Sequence, residues 1–158
     1  MEFPERIYTA EEVRRAGELV EKGYKHRLRI AGSLVFREKV KEALKLIKTA
    51  GYHDFLRKYI RKITEIDGFT QLREADAAIW ANRYAVQDPV DAASLLIQKA
   101  NHMKEYLEGR LYFGGASENR SVKKRIEFLK TLMRKSRKEE VKAGCERLLE
   151  SWAESVFL

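Results

Sequence analysis

The sequence predicts an α+β fold: a single domain over residues 1–158, mostly helical, with a small sheet of two or three strands. Three observations carry this. Most of the chain places apolar residues at helical spacing. One segment, 24–30, instead alternates apolar and basic side chains with a period of two. The composition, 44% hydrophobic and 35% charged over 158 residues, belongs to a globular chain long enough for a real core. The alternative is a plain helical bundle, and the segment 71–86 decides between the two.

Thr9 and Glu12 form a capping box that opens a first helix through Val13, Ala16, Leu19 and Val20, ended by Gly23. In the strand expected at 24–30, Tyr24, His26, Leu28 and Ile30 share one face and the basic residues the other. Gly32-Ser33 turns the chain and caps a second helix on Phe36, Val40, Ala43, Leu44 and Ile47, closed by Gly51. A third helix is expected to carry Phe55, Leu56, Tyr59, Ile60, Ile63 and Ile66 until Asp67-Gly68 breaks it. Segment 71–86 is ambiguous: Leu72, Ala75, Ile79 and Trp80 fit a helix face, whereas 77–86 fits an extended strand. Asp88-Pro89 is a helix start, with Asp as the cap and Pro in the first turn. That helix runs through Ala92, Leu96, Ile97, Ala100, Met103 and Leu107, and Gly114-Gly115 marks a loop. Two helices follow, one on Val122, Ile126, Leu129 and Leu132, the other on Val141, Cys145, Leu148, Leu149, Trp152 and Val156. The expected core is Leu28, Ile30, Val40, Leu44, Ile47, Phe55, Ile60, Ile63, Leu96, Met103, Leu129, Leu148 and Trp152. The apolar end Val156-Phe157-Leu158 is expected to dock on the core or on a second subunit, so oligomerisation through the C-terminal helix is a candidate.

No apolar run approaches the roughly 20 residues of a membrane helix, and the first residues lack a basic stretch leading into an apolar one. A cytoplasmic protein without a membrane partner is expected. The one cysteine, Cys145, reads as a small buried apolar residue. The charge of +8 favours polyanions or acidic partners. Its densest runs supply the nucleic-acid candidates Lys123, Lys124, Arg125, Arg134, Lys135, Arg137 and Lys138. High charge, few amides and two prolines also fit a thermophile.

Complete catalytic patterns are missing. His26, His53 and His102 lie in different elements without paired spacing, which argues against a three-histidine metal site. Gly114-Gly115 lacks the Lys and Ser or Thr of a phosphate loop, and no serine sits in a nucleophile elbow. Glu74 and Asp76 read as ordinary surface acids.

The helix after Asp88-Pro89 reads Ala92-Ala93-Ser94-Leu95-Leu96-Ile97-Gln98-Lys99-Ala100-Asn101-His102, followed by Tyr106-Leu107-Glu108-Gly109 and Tyr112-Phe113-Gly114-Gly115. Together with the preceding strand, Gly-turn, two helices and Ala-x-Trp segment, this layout resembles small gluzincin-type metallopeptidases over about residues 24–132. The resemblance implies a strand leading into a helix that bears His-Glu-x-x-His, then a second helix that donates a glutamate ligand. The chemistry departs from that pattern. Two imidazoles four residues apart should face one metal, with a glutamate beside the first as base. Here Gln98 stands for the first histidine, Lys99 for the glutamate, and His102 alone matches. The third ligand would fall near Glu118 or Asn119. A lysine in the base position repels a cation, so no metal, cofactor or catalytic residue is expected, and Glu118 is the candidate partner of Lys99 if that lysine is buried.

Two functions lead, ahead of a working hydrolase with an unfamiliar site, for which a glutamine and a lysine in the ligand and base positions are a poor start. The first is a catalytically inactive metallopeptidase-like domain that binds peptide or protein through Gln98, Lys99, His102, Glu118 and Asn119, with 77–86 as the edge strand receiving an extended peptide. The second is a basic helical module for nucleic acid. Without the resemblance, Gln98, Lys99 and Asn101 read as a solvated helix face and His102 as a surface residue.

Overall fold

The computed structural model describes the backbone of residues 2–110 and 115–157, and the side chains within 2–110 and 118–152. Among the described residues, six helices pack with a four-stranded sheet: α1 Ala10–Glu21, β1 Arg29–Ala31, α2 Leu34–Thr49, α3 His53–Tyr59, β2 Lys62–Ile66, β3 Gln71–Arg73, β4 Ala78–Asn82, α4 Pro89–Leu107, α5 Gly115–Lys135 and α6 Glu139–Phe157. The α+β architecture expected from the pattern is the one observed, and the helical bundle is set aside.

The helix starts follow from local chemistry. Thr9 N–H donates to Glu12 Oε1 at 2.8 Å while Glu12 N–H donates to Thr9 Oγ1 at 3.2 Å, closing the box at α1. Ser33 Oγ accepts from Phe36 N–H at α2, and Asp88 Oδ2 from Asp91 N–H at α4, where Pro89 fills a first-turn position that needs no donor.

The extended regions required correction. The strand expected at 24–30 pairs only at Arg29–Ala31. The preceding residues run beside α3 rather than beside a strand, and His26 N–H donates to Arg57 O at 2.8 Å. The third helix does not reach Ile66. Ile60 turns extended, with φ −121° and ψ 126°, and 62–66 forms β2. The β-branched Ile63, Thr64 and Ile66 suit a pleated sheet better than a helix surface. Segment 71–86 resolves into β3 and β4, joined by a 3-10 turn at Glu74–Asp76, and ends in a second 3-10 turn at Arg83–Val86, so the strand expected over 77–86 spans only Ala78–Asn82. Ala77 then takes a left-handed conformation with φ 50°.

The strand order is β1-β2-β4-β3, with β3 antiparallel to β4 and the other neighbours parallel. Register aligns Ile30, Ile63, Ile79 and Leu72 in one row across the sheet. Ile63 and Ile79 are fully buried, so this row faces the helical layer. The adjacent row, Arg29, Lys62, Ala78 and Arg73, points to the other face. Phe36, Val40 and Ile47 of α2, Leu96, Ile97 and Met103 of α4, and Phe128 and Leu129 of α5 fill the core. Leu28, Ile30, Leu44, Phe55, Leu148 and Trp152, expected in the core, pack at its margin. The side chains of Val156, Phe157 and Leu158, on which the docking of the tail rests, lie outside the described residues.

Candidate functional site

Helix α4 carries two faces. Leu96, Ile97, Ala100 and Met103 enter the core. Asp91, Ser94, Gln98, Asn101, His102 and Glu105 recur at helical spacing on a polar stripe, and α5 packs across it. Ser94 is fully buried, Gln98, Asn101 and His102 are each 8% exposed, and Glu105 is 4% exposed. The reading of Gln98, Lys99 and Asn101 as a solvated face and of His102 as a surface residue is therefore wrong for Gln98, Asn101 and His102, while Lys99 is half-buried.

Two guanidinium groups of α5 bridge to this stripe. Arg125 Nη1 donates to Gln98 Oε1 at 2.9 Å, and Nη2 donates to Asp91 Oδ1 at 2.8 Å and Ser94 Oγ at 2.9 Å. The other end of Gln98 is also occupied: its Nε2 donates to Ser121 Oγ at 3.1 Å, whose hydroxyl donates to Glu118 O. The Arg125 guanidinium lies over the Trp152 ring of α6 at 4.4 Å. One turn along, Arg120 forks onto Glu105 with Nε and Nη2 at 2.9 and 3.2 Å, and Asn101 Nδ2 donates to Glu105 Oε1.

The electrostatics follow from that burial. Burial lowers the Lys99 ammonium from its usual range, the nearby Glu118 charge opposes this, and Arg125 adds to it. Burial likewise lowers His102, helped by the Lys99 charge and opposed by Glu105 and Glu118. Lys99 and His102 thus lie within electrostatic reach of each other and of Glu118, and Gln98 connects to the Glu118 carbonyl through Ser121. Glu118 and Asn119 themselves sit exposed at the start of α5. A zinc ion does not fit this donor set. Both ends of Gln98 are engaged, Arg125 is a permanent cation at that position, and Lys99 supplies a second positive charge. Among the described residues, no group of three or more His, Cys, Asp or Glu side chains is placed to hold a metal ion.

Arg125 was expected at a nucleic-acid surface, and the structure corrects this: it is 5% exposed and locked in the α4–α5 junction. A signal for that existed, because residue 125 falls four before Leu129 and three before Phe128 on the buried stripe of α5. Lys124 is partly committed, its Nζ 4.7 Å from the Phe55 ring centre and 3.6 Å from Glu127 Oε1. Lys123, Arg134, Lys135, Arg137 and Lys138 are exposed, but Glu139 and Glu140 follow directly. The strand proposed to receive peptide, 77–86, is not an edge: β4 lies between β2 and β3, and the outer strands are β1 and β3.

Cys145 is buried, with its thiol pushed up to about 11, the inert state expected of it. No helix among the described residues is long and apolar enough to cross a membrane. Compared with family profiles, curated proteins and solved structures, the chain finds no match.

Proposed function

We propose that the chain is a metallopeptidase-like domain without a catalytic centre, working as a binding module for extended peptide or protein. One observation carries the reading. The residue in the first ligand position, Gln98, has its carbonyl on Arg125 and its amide on Ser121, so side chains of α5 fill the role that a metal would play in joining α4 to α5. The order of elements supports it as well. Strand β4 leads through a short turn into α4, and α5 packs back on α4, as the resemblance in sequence implies. The edge that would accept a peptide is β3, whose outer side would add a further strand and which begins two residues after the 94% exposed Phe69. The setting this reading takes is the cytoplasm, where a lone reduced thiol is ordinary.

The test has two arms. A fluorogenic peptide library incubated with the protein and added zinc should yield no hydrolysis above background. A randomised library of immobilised extended peptides should yield families bound with micromolar dissociation constants or tighter. Chelator-sensitive cleavage overturns the first half of the proposal, and failure to enrich any peptide overturns the second.

A further inference from the structure

The sheet face turned away from the helices is basic in a way the linear sequence does not display. Register sets Arg29, Lys62, Ala78 and Arg73 side by side in one row across all four strands. Arg29 and Lys62 are directly opposed on adjacent strands, about 4.8 Å apart along the sheet. Like charges so placed repel each other and cost stability. Among the described residues, neither is in an ion pair, and neither are Arg6 and Arg27 beside them. In contrast, exposed cations elsewhere are often paired, as Arg14 is with Glu18 and Arg83 with Glu65.

Arg6, Arg27, Arg29, Lys62 and Ala78 help line an open hollow of about 790 Å³. Its walls carry five cationic side chains, Arg6, Arg27, Arg29, Arg61 and Lys62, against two carboxylates, Glu5 and Asp76. Arg61 is occupied within the fold. Its guanidinium donates to the carbonyls of Pro4, Glu5 and Asp76, pinning the N-terminal segment as one wall. The other four cations have no such duty. The floor includes Thr64 and Trp80, which pair in the next row of the sheet. The Arg73 guanidinium stacks on the half-buried Trp80 indole at 4.2 Å.

We propose that this face binds single-stranded nucleic acid, with phosphates on Arg6, Arg27, Arg29 and Lys62 and a base stacked on the Trp80–Arg73 pair. A row of unpaired cations is matched by a run of phosphates, which removes the like-charge repulsion on the strands. The aromatic and guanidinium planes supply the stacking surface that unpaired bases use and that a carboxylate-rich peptide does not need. A duplex holds its bases in the stack and cannot place one on a recessed indole. The proposal is independent of the peptidase-like reading, because it uses side chains on the sheet face opposite α4 and α5, whereas an added peptide strand would pair with the outer backbone of β3.

Fluorescence anisotropy with labelled twelve-residue oligo-uridine and oligo-thymidine, over a salt series, tests it. The wild-type protein should bind in low salt, and binding should fall as salt rises. R29A/K62A should bind about ten-fold more weakly or worse, with the logarithmic salt slope reduced by about 1.4, roughly 0.7 for each phosphate no longer neutralised. Trp80→Ala should weaken binding by at least several-fold with the slope unchanged, since stacking releases no ions. Arg6→Ala/Arg27→Ala, which leaves the strands untouched, is the second variant should R29A/K62A fold poorly. Lys123→Ala/Lys138→Ala, on the helical side, should bind as wild type. Absence of binding to either oligonucleotide in low salt overturns the proposal. So does a helical-side variant that loses as much as the sheet-side variants, or poly-glutamate competing as well as unlabelled oligonucleotide.

Discussion

Replacing Arg125 by alanine probes the α4–α5 junction where the structure is most committed. The substitution removes the donors to Gln98 Oε1 and Ser94 Oγ, both on buried residues. A buried acceptor left without a partner costs about 1–3 kcal/mol. Asp91 loses its ion pair too, but its side chain is 41% exposed and rehydrates at little cost. The stacking on Trp152 adds roughly 0.5–2 kcal/mol. Ser94 keeps its bond to Asp91 O, so the orphaned Gln98 acceptor and the lost stacking total about 1.5–5 kcal/mol, whose upper part meets the general cost of removing one partner of a buried charged network. At about 2–4 °C per kcal/mol for a chain of this size, the melting temperature should fall by roughly 8–16 °C for a loss of 4 kcal/mol. Urea unfolding followed by circular dichroism measures the same loss. The companion variant, Gln98→Leu/Arg125→Met, removes both polar ends and fills the space with apolar atoms, so it should recover most of the stability. If Arg125→Ala unfolds within about 1 kcal/mol of wild type, the junction is not the sealed network described here.

Two further outcomes are expected. Burial, with the charges of Arg61 and Arg57, pulls the His26 imidazole down to about 4, against 6.5 in the unfolded chain. Because the unfolded chain binds more protons between these values, the His26 contribution is complete above pH 6.5. It is lost progressively towards pH 4, by up to about 3 kcal/mol at roughly 1.4 per pH unit. Denaturant unfolding at stepped pH should therefore show a steeper acid loss for wild type than for His26→Phe, and identical slopes contradict the burial of that ring. Gly32→Ala should destabilise by roughly 1–3 kcal/mol or more, since Gly32 has φ +153° and a methyl there would meet Glu65 Cβ at 2.7 Å and Phe36 Cδ2 at 2.8 Å. A melting temperature equal to wild type refutes that close approach.

What the sequence made legible was local. Thr9, Ser33 and Asp88 satisfy helix donors within three residues of themselves, so their pattern needs no knowledge of the fold. The strands were harder because their partners are distant. Ile60, Ile63 and Ile66 are spaced by three and mimic a helix stripe, and only the pairing of Ile63 with Ile30 and Ile79 makes 62–66 a strand. The same holds for the sites. Gln98, Lys99, His102, Glu118 and Asn119 were singled out by a resemblance; Lys99 and His102 do lie near the Glu118 charge, whereas Glu118 and Asn119 themselves stay exposed. Their closure by Arg125 and Ser121 was hidden, because Arg125 sits in a basic run that reads as surface. The basic sheet face was half visible, in the alternation that sets Arg27 and Arg29 opposite His26, Leu28 and Ile30. Lys62, Arg73 and Trp80 join it only through register across the sheet.

The central claim is that side chains, and not a metal, hold α4 to α5. Elemental analysis of the full chain, purified without added metal or chelator and then dialysed against micromolar zinc, tests it most directly. Zinc should stay far below one equivalent, with melting temperature unchanged by the dialysis. One tightly held zinc per chain, lost together with stability on mutation of His102, contradicts it.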